Sequence, residues 1–195
     1  LNPGYESETT GGSLYYNSGS GTCYSGQNNA TKSCDFTSTG IKNDITRGLI
    51  SDTTYYLGGW NSNSVYPNQI YEYERGTTVY TGRPTIWQGK IALPYPSDYG
   101  YAADLGKCLN KQLGSYNDST CTSNNWMKTI VNGVWLLTTD SKFANYGWFA
   151  TPSGNINHMY VYDTRGATPV LSLSSELSIK AGTGSSSEPY QLSVN

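Results

Sequence analysis

A single histidine, His158, is available for proton-transfer chemistry in this chain. A hydrolase triad needs a histidine beside an activated hydroxyl or thiol. The chain has no G-x-S-x-G nucleophile motif, and its four cysteines are better assigned to disulfides. A lone histidine in a strand-rich segment is usually a polar surface residue. The sequence therefore predicts no catalytic residue and no enzyme.

Two carboxylates, Glu72 and Glu74, alternate within Tyr71–Arg75. In a strand they would face the same side, and paired carboxylates across a cleft can hydrolyse glycosides. The favoured interpretation is a solvated strand edge with Arg75 as the counter-ion. The other acidic residues considered are scattered singly: Asp98, Asp104, Asp140 and Asp163. No D-x-[DN]-x-[DN]-G loop occurs, so we expect no dedicated metal site and no cofactor, although dispersed loop oxygens could hold calcium.

The cysteines form two close pairs along the chain, Cys23 with Cys34 and Cys108 with Cys121. An even number in an uncharged chain rich in Tyr, Ser and Asn indicates disulfides in an oxidising compartment. This local pairing is the simplest of three connectivities, and each short loop would stabilise the fold by up to about 3 kcal/mol. A four-cysteine metal site would require closer C-x₂₋₄-C spacing.

The composition is typical of secreted and surface-displayed β-rich proteins. Charged residues are 13% of the chain, while it holds 22 glycines and 18 tyrosines. The net charge is −2 and no basic run occurs, so nucleic acid is not an expected partner. No apolar run approaches the roughly 20 residues that cross a bilayer. Because the chain begins at Leu1, we expect an export signal or anchoring helix to have been removed, and membrane contact only through that absent helix.

The chain divides into a Gly/Ser/Asn-rich N-terminal lobe, residues 1–40, and a domain over 41–195 that could be continuous with it. Apolar spacing predicts two short helices, near 41–50 and 103–113. A turn signal at 152–155 predicts a hairpin. Aromatic and β-branched runs predict strands at Thr53–Leu57, Trp135–Leu137, Tyr146–Ala150, Ile156–Tyr162 and Val170–Leu173. We expect an α+β domain with extensive loops, in which a mixed, mostly antiparallel sheet gathers the C-terminal strands around Trp135 and Val170. The rival fold is an immunoglobulin-like sandwich, which is less compatible with two helices.

Two long stretches carry more information than composition does. They read ERGTTVYTGRPTIWQGKIALPYPSDYGYA from Glu74, and WLLTTDSKFANYGWFATPSGNINHMYVYDTRGATPVLSLSSELSIKAGTGSSSEPYQL from Trp135. Over roughly residues 40–192 the chain resembles exported proteins of gut Firmicutes described as pilin-like or type II secretion-like. In that family a long apolar prepilin helix precedes the soluble domain. The resemblance implies a C-type-lectin-like fold of the formylglycine-generating-enzyme variety, which retroelement-diversified display proteins also use.

The family pattern places a variable, ligand-facing stretch between two anchors, WLLSP and GVRPVL. Here the anchors are WLLT and GATPVL, so the family's arginine is missing. The stretch between them is Thr139–Arg165, and it contains Lys142, Trp148 and Met159, which adenine-directed mutagenesis of Asn codons cannot produce. These three residues argue against ongoing retroelement diversification of the stretch, unless they are fixed scaffold positions. The copper-binding cysteines of formylglycine-generating enzymes have no counterpart, so the resemblance implies no enzymatic activity.

Within that stretch we expect seven residues to lie together on one exposed face: Asn145, Tyr146, Asn155, Asn157, His158, Tyr160 and Tyr162. Side chains alternate along a strand, so His158 and the two tyrosines would face outward while Met159 and Val161 face the core. Tyrosine supplies rigid contact area and asparagine supplies adaptable hydrogen bonds, a mixture typical of binding loops.

The resemblance and composition together imply an extracellular, adhesin-like domain on a bacterial cell surface or pilus, with a glycan or protein ligand. The alternative is a structural pilin subunit that packs against copies of itself. An apolar patch outside residues 139–165 would favour assembly, and an aromatic face within them would favour binding.

Overall fold

The structure, a computed structural model, describes residues 44–161, 163 and 165–194. Four predictions lie outside these residues: the N-terminal lobe, the Cys23–Cys34 disulfide, the start of the first helix and the position of Tyr162. The described part is an α+β arrangement of short helices with several small sheets, most of whose strand pairs are antiparallel. This confirms the predicted fold class at that level.

The largest sheet has four strands in the order β6-β5-β4-β7. Neighbours β4, β5 and β6 are antiparallel, while β7 joins β4 in parallel. The strands are β4 Val134–Thr139, β5 Tyr146–Ala150, β6 Ile156–Tyr160 and β7 Gly166–Ala167. The sequence prediction for β5 is confirmed at both ends, and β6 ends two residues earlier than expected.

The β5–β6 connection is the hairpin expected at residues 152–155. The Thr151 amide donates to the Asn155 carbonyl at 2.9 Å, and Gly154 adopts a φ of +100° that glycine tolerates best. The carbonyl of Gly154 accepts from the buried Tyr99 hydroxyl at 2.7 Å. The turn is therefore fixed to the core as well as closed by its own backbone.

The described chain also contains three two-stranded antiparallel sheets. They pair β1 Thr53–Tyr56 with β2 Ile86–Gly89, β3 Ile91–Ala92 with β8 Val170–Leu171, and β9 Leu177–Ala181 with β10 Gln191–Val194. The predicted strands near 53 and 170 are confirmed with shorter bounds. The expectation that Val170 joins the sheet of Trp135 is wrong, because its partner there is Ala92 of β3.

The helices of the described chain are all short, and none is long and apolar enough to span a membrane. They are α1 Asp44–Gly48, α2 Pro67–Glu74, α3 Pro96–Tyr101, α4 Leu105–Cys108 and α5 Ser119–Thr122, with a 3₁₀ turn at Leu113–Ser115. Helix α1 lies where the first helix was predicted. Helices α2 and α3 were not predicted, although each has proline at its first position after a tyrosine, a common helix start.

The predicted single helix over 103–113 is wrong. Helix α4 ends at Cys108, and the chain turns before Leu113. Leu105 and Leu109 are exposed whereas Leu113 is fully buried, so the four-residue leucine spacing does not mark one buried stripe. The Cys108 carbonyl at the helix end accepts from the Lys111 amide at 2.9 Å and from the buried Tyr116 hydroxyl at 3.1 Å, so this acceptor is satisfied without a longer helix.

The core lies between α2, α3 and the four-stranded sheet. Its largest fully buried side chains include Trp148, Tyr99, Tyr116, Ile70 and Ile156. The Cys108–Cys121 disulfide is present, as predicted, and joins α4 to α5 beside Tyr116. Both cysteines are buried, so this disulfide is part of the core as well as a chain crosslink.

We predict that replacing both Cys108 and Cys121 by alanine lowers the free energy of unfolding by about 3 kcal/mol. The crosslink closes a loop with a sequence separation of 13, and its loss frees the unfolded chain and removes buried packing. Urea denaturation measures the change. An unaltered midpoint and slope would contradict this role. Non-reducing peptide mapping of the wild-type protein tests the predicted Cys23–Cys34 pairing.

Candidate functional site

Asp140 follows β4 directly, and its carboxylate is fully buried. Oδ1 accepts from the backbone amides of Lys142 and Phe143 at 2.7 and 2.8 Å. Oδ2 lies 2.7 Å from His158 Nδ1 on β6. One side chain therefore fixes the turn after β4 and attaches that turn to a strand 18 residues away. This role of Asp140 was not predicted from the sequence, although an aspartate at a strand end is a common turn former.

His158 is half-buried on the core side of the sheet, not the ordinary surface histidine expected from the sequence. It stands opposite Trp148 in the β5–β6 ladder, and the two rings stack with centroids 5.1 Å apart. Trp148 is fully buried and donates from Nε1 to the Trp60 carbonyl at 3.2 Å. The imidazole is thus held by stacking on one side and by Asp140 at its edge.

Four rings pack together where β5 begins and β6 ends. We call Phe143, Tyr146, His158 and Tyr160 the aromatic platform. Tyr146 is central: its ring centroid lies 5.0 Å from Phe143, 4.5 Å from Tyr160 and 5.9 Å from His158. Phe143 is 43% exposed and Tyr160 is 38% exposed, so the platform reaches solvent. These exposed rings are already packed together in the free protein. A ligand that contacts them therefore pays little entropic cost for ordering side chains.

The structure brings together four of the seven residues expected at the site: Asn145, Tyr146, His158 and Tyr160. Tyr146 and Tyr160 are cross-strand partners, and the Asn145 carbonyl accepts from the Val161 amide at 3.0 Å. Tyr162 lies outside the described residues. Phe143, which packs against Tyr146, was not among the seven residues expected at the site.

Asn155 and Asn157 are placed differently. Asn155 lies at the hairpin turn, five residues or about 16 Å along the strand from Tyr160, and its Nδ2 donates to the Gly114 carbonyl. Asn157 Oδ1 accepts from the His158 amide and from Asn63 Nδ2. The Asn155 side chain therefore stabilises the hairpin turn. The Asn157 side chain connects the outer edge of β6 to loop 62–64.

The expected inward and outward faces of β6 are reversed. The alternation is as predicted, but the fully buried Ile156 shares the face of His158 and Tyr160, so that face is the core face. Met159 lies on the opposite face, half-buried, where Arg165 Nη2 contacts its sulfur at 2.9 Å. The polar His158 is accommodated on the core face because Asp140 and Trp148 satisfy it.

A second buried carboxylate, Glu74, lies at the end of α2. It is fully buried in a helix, so its assignment to a solvated strand edge is wrong. Oε1 accepts from the Ser97 amide at 3.0 Å and from Thr138 Oγ1 at 3.3 Å. Oε2 accepts from Ser97 Oγ and lies 3.3 Å from Arg75 Nη1, the counter-ion expected from the sequence. Glu74 thus joins α2, α3 and β4.

Burial raises the pKa of Glu74 to about 7. The hydrogen bonds from Ser97 and the charge of Arg75 oppose this rise, because both favour the ionised form. The dominant effect is the loss of water around the carboxylate. Glu74 therefore changes charge near neutral pH, where an exposed glutamate would be fully ionised.

The chemistry available at these centres is limited. The Asp140–His158 pair has the first two members of a hydrolytic triad, but Nε2 of His158 has no hydrogen-bond partner among the described residues. In the same part of the chain no three His, Cys, Asp or Glu side chains are grouped to hold a metal ion. Comparisons of the chain with family models, curated proteins and solved structures found no match.

We predict that Asp140→Asn lowers the free energy of unfolding by about 2 kcal/mol. The asparagine carbonyl oxygen can still accept from the Lys142 and Phe143 amides. Its NH₂ group, however, places a second donor against the Nδ1–H of His158, so that hydrogen bond is lost. Urea denaturation should show this loss, while the matched change at the exposed Asp52 stays within about 0.5 kcal/mol. Equal effects of D140N and D52N would contradict the account.

We predict that wild-type stability falls, relative to Glu74→Gln, as pH rises from about 4.5 to above 7. The folded chain holds a proton that the unfolded chain releases, since the pKa rises from 4.5 to about 7 on folding. The difference amounts to roughly 3 kcal/mol at most. Chemical denaturation at several pH values measures it. Glu72→Gln, at an exposed position of the same helix, should follow the wild type; parallel curves for wild type and E74Q would refute the prediction.

Proposed function

We propose that this chain is an exported, surface-displayed ligand-binding domain of the adhesin type, and that its ligand contacts the aromatic platform. The observation that carries the proposal is the packing of Phe143, Tyr146, His158 and Tyr160 into one partly exposed group of rings. Aromatic rings held in place before binding suit the apolar face of a sugar or a flat protein epitope.

The platform is supported from beneath and from the side. Asp140 fixes the backbone that carries Phe143, and Arg83 donates from Nη2 to the Ala144 carbonyl. His158 rests on the fully buried Trp148. A ligand would therefore meet side chains that have already lost most of their conformational freedom, which lowers the entropic cost of association.

The proposal also includes a specific fold within the α+β class. We assign the chain to the C-type-lectin-like fold on the strength of its resemblance to pilin-like exported proteins. In that family the stretch corresponding to Thr139–Arg165 faces the ligand, and all four platform rings belong to it. The low charge and the Cys108–Cys121 disulfide support an extracellular location on a bacterial surface or pilus.

Binding is favoured over catalysis by the surroundings of His158. A base in a hydrolytic site needs a nucleophile or a water held within hydrogen-bond reach. No hydroxyl or thiol of the described chain makes a hydrogen bond with His158, whose Nδ1 faces Asp140. Asp140 and His158 act in this proposal as positioning residues for the platform.

The alternative, a structural pilin subunit, is favoured by the β9–β10 hairpin. Its register places Leu177 and Ile179 beside Val194 and Leu192 on one face, while Ser178 and Ser193 pair on the other. Ile179 and Val194 are among the most exposed apolar side chains of the described chain. An apolar face outside residues 139–165 is what self-assembly would require.

We predict that Tyr160→Ala and Phe143→Ala each weaken binding at least tenfold for oligosaccharides or cell-surface proteins that the wild type captures. Loss of a packed aromatic anchor typically costs more than about 1.4 kcal/mol of binding free energy. A glycan array and a cell-surface binding screen would identify the ligand, and calorimetry would give the affinities. Tyr190→Ala, at an exposed tyrosine before β10, is the matched control.

Unchanged affinity in both platform variants would place binding elsewhere. If the wild type captures nothing but sediments as polymers that Ile179→Lys disperses, the pilin alternative replaces the proposal.

A further inference from the structure

Arg75, which ends helix α2, lies among tyrosines. Its guanidinium carbon is 3.4 Å from the Tyr71 ring centroid, 5.4 Å from that of Tyr95 and 5.7 Å from that of Tyr56. Tyr101 meets Tyr71 edge to face at 6.1 Å. We call Arg75 with Tyr56, Tyr71 and Tyr101 the arginine cluster. It is separate from the aromatic platform and shares no residue with it.

The cluster is built on fixed backbone and still reaches solvent. The buried Tyr95 hydroxyl accepts from the Tyr56 amide at 2.7 Å and donates to the Tyr56 carbonyl at 2.9 Å, which holds Tyr56 in place. Tyr71 is 43% exposed, and Tyr56 and Tyr101 are similarly open. A partly exposed cation among exposed tyrosine rings is an arrangement that binding sites use often.

Arg75 retains hydrogen-bonding capacity. Its Nη1 donates to the Tyr71 carbonyl and to Glu74 Oε2, at 3.2 and 3.3 Å. Within the described chain, Nε and Nη2 make no hydrogen bond, and the side chain is 29% exposed. A guanidinium presents its donors as a planar fork that matches a carboxylate.

We propose that the arginine cluster is a second binding site, which takes the carboxylate of a uronic-acid saccharide. The carboxylate engages Arg75, and the sugar ring lies against Tyr71 and Tyr101. A hexuronic acid joins a carboxylate to a rigid ring with apolar C–H faces, so it uses both the fork and the tyrosines. The flexible carboxylates of an acidic peptide would use only the fork. This site does not depend on the proposed function of the platform.

Glu74 couples this site to pH. Ionised Glu74 neutralises Arg75 and repels a ligand carboxylate, whereas protonated Glu74 does neither. The charged or titratable groups that face Glu74 are Arg75, Asp98 and Tyr95. Since the pKa of Glu74 is raised to about 7, ligand affinity should fall as pH rises through neutrality. A purely structural Arg75 would show no such dependence.

The test is calorimetry of the full chain with trigalacturonic acid, its neutral methyl ester and an oligoglutamate peptide. We expect binding of the acid, at least tenfold weaker binding of the ester and of the peptide, and tenfold loss in Arg75→Gln. Arg75→Lys, which keeps the charge without the fork, should also bind more weakly. Lys180→Gln removes an equal charge from the exposed β9 strand and should change nothing.

The expected pH result is a fall in affinity between pH 6 and pH 8 in the wild type and a flat profile in Glu74→Gln. Tyr160→Ala should bind trigalacturonic acid as the wild type does, which separates this site from the platform. No binding at millimolar concentration, tighter binding of oligoglutamate than of the saccharide, or unchanged affinity in folded Arg75→Gln and Arg75→Lys would each overturn the proposal.

Discussion

A single buried carboxylate, Asp140, determines how the exposed rings are arranged. It accepts two backbone amides from the turn after β4 and contacts His158 on a strand that is not adjacent to β4. A buried charge is tolerated only when its hydrogen bonds are made, so the turn and β6 cannot separate without a large free-energy cost. Tyr160 ends β6, and its cross-strand partner Tyr146 begins β5 where that turn ends, so the packing of the two rings depends on this connection.

The end of β4 serves both candidate sites. Thr138 donates to Glu74, beside the arginine cluster, and Asp140 two residues later supports the platform. Gly58 and Gly59 run between these centres. A Cβ on Gly58 would lie 2.2 Å from the Tyr73 carbonyl oxygen, and one on Gly59 would lie 2.5 Å from that of Thr139. The close approach of Gly58 to helix α2 and of Gly59 to strand β4 therefore requires glycine at both positions.

Local sequence patterns predicted individual strands and turns, whereas the burial of the polar side chains depends on partners far away in the sequence. Alternation and turn residues located β5 and the hairpin, because those signals lie within a few residues. The burial of Glu74 depends on Ser97, and that of Asp140 depends on His158, partners 23 and 18 residues away that no local pattern joins. The prediction for the face of β6 was wrong for the same reason, because Trp148 stacks on His158 and Asp140 lies within hydrogen-bond distance of it, and neither contact is visible in the local pattern.

His158 is the one histidine of the chain, so its imidazole signals in a long-range ¹H–¹⁵N NMR spectrum need no assignment. The most direct test records these imidazole signals during a titration with the oligosaccharide that the glycan array selects. Backbone amide shifts show when the protein is saturated. We predict a proton on Nδ1, facing Asp140, and imidazole shifts that move together with the binding isotherm. A proton on Nε2 alone, or an imidazole that stays unchanged at saturation, would contradict it.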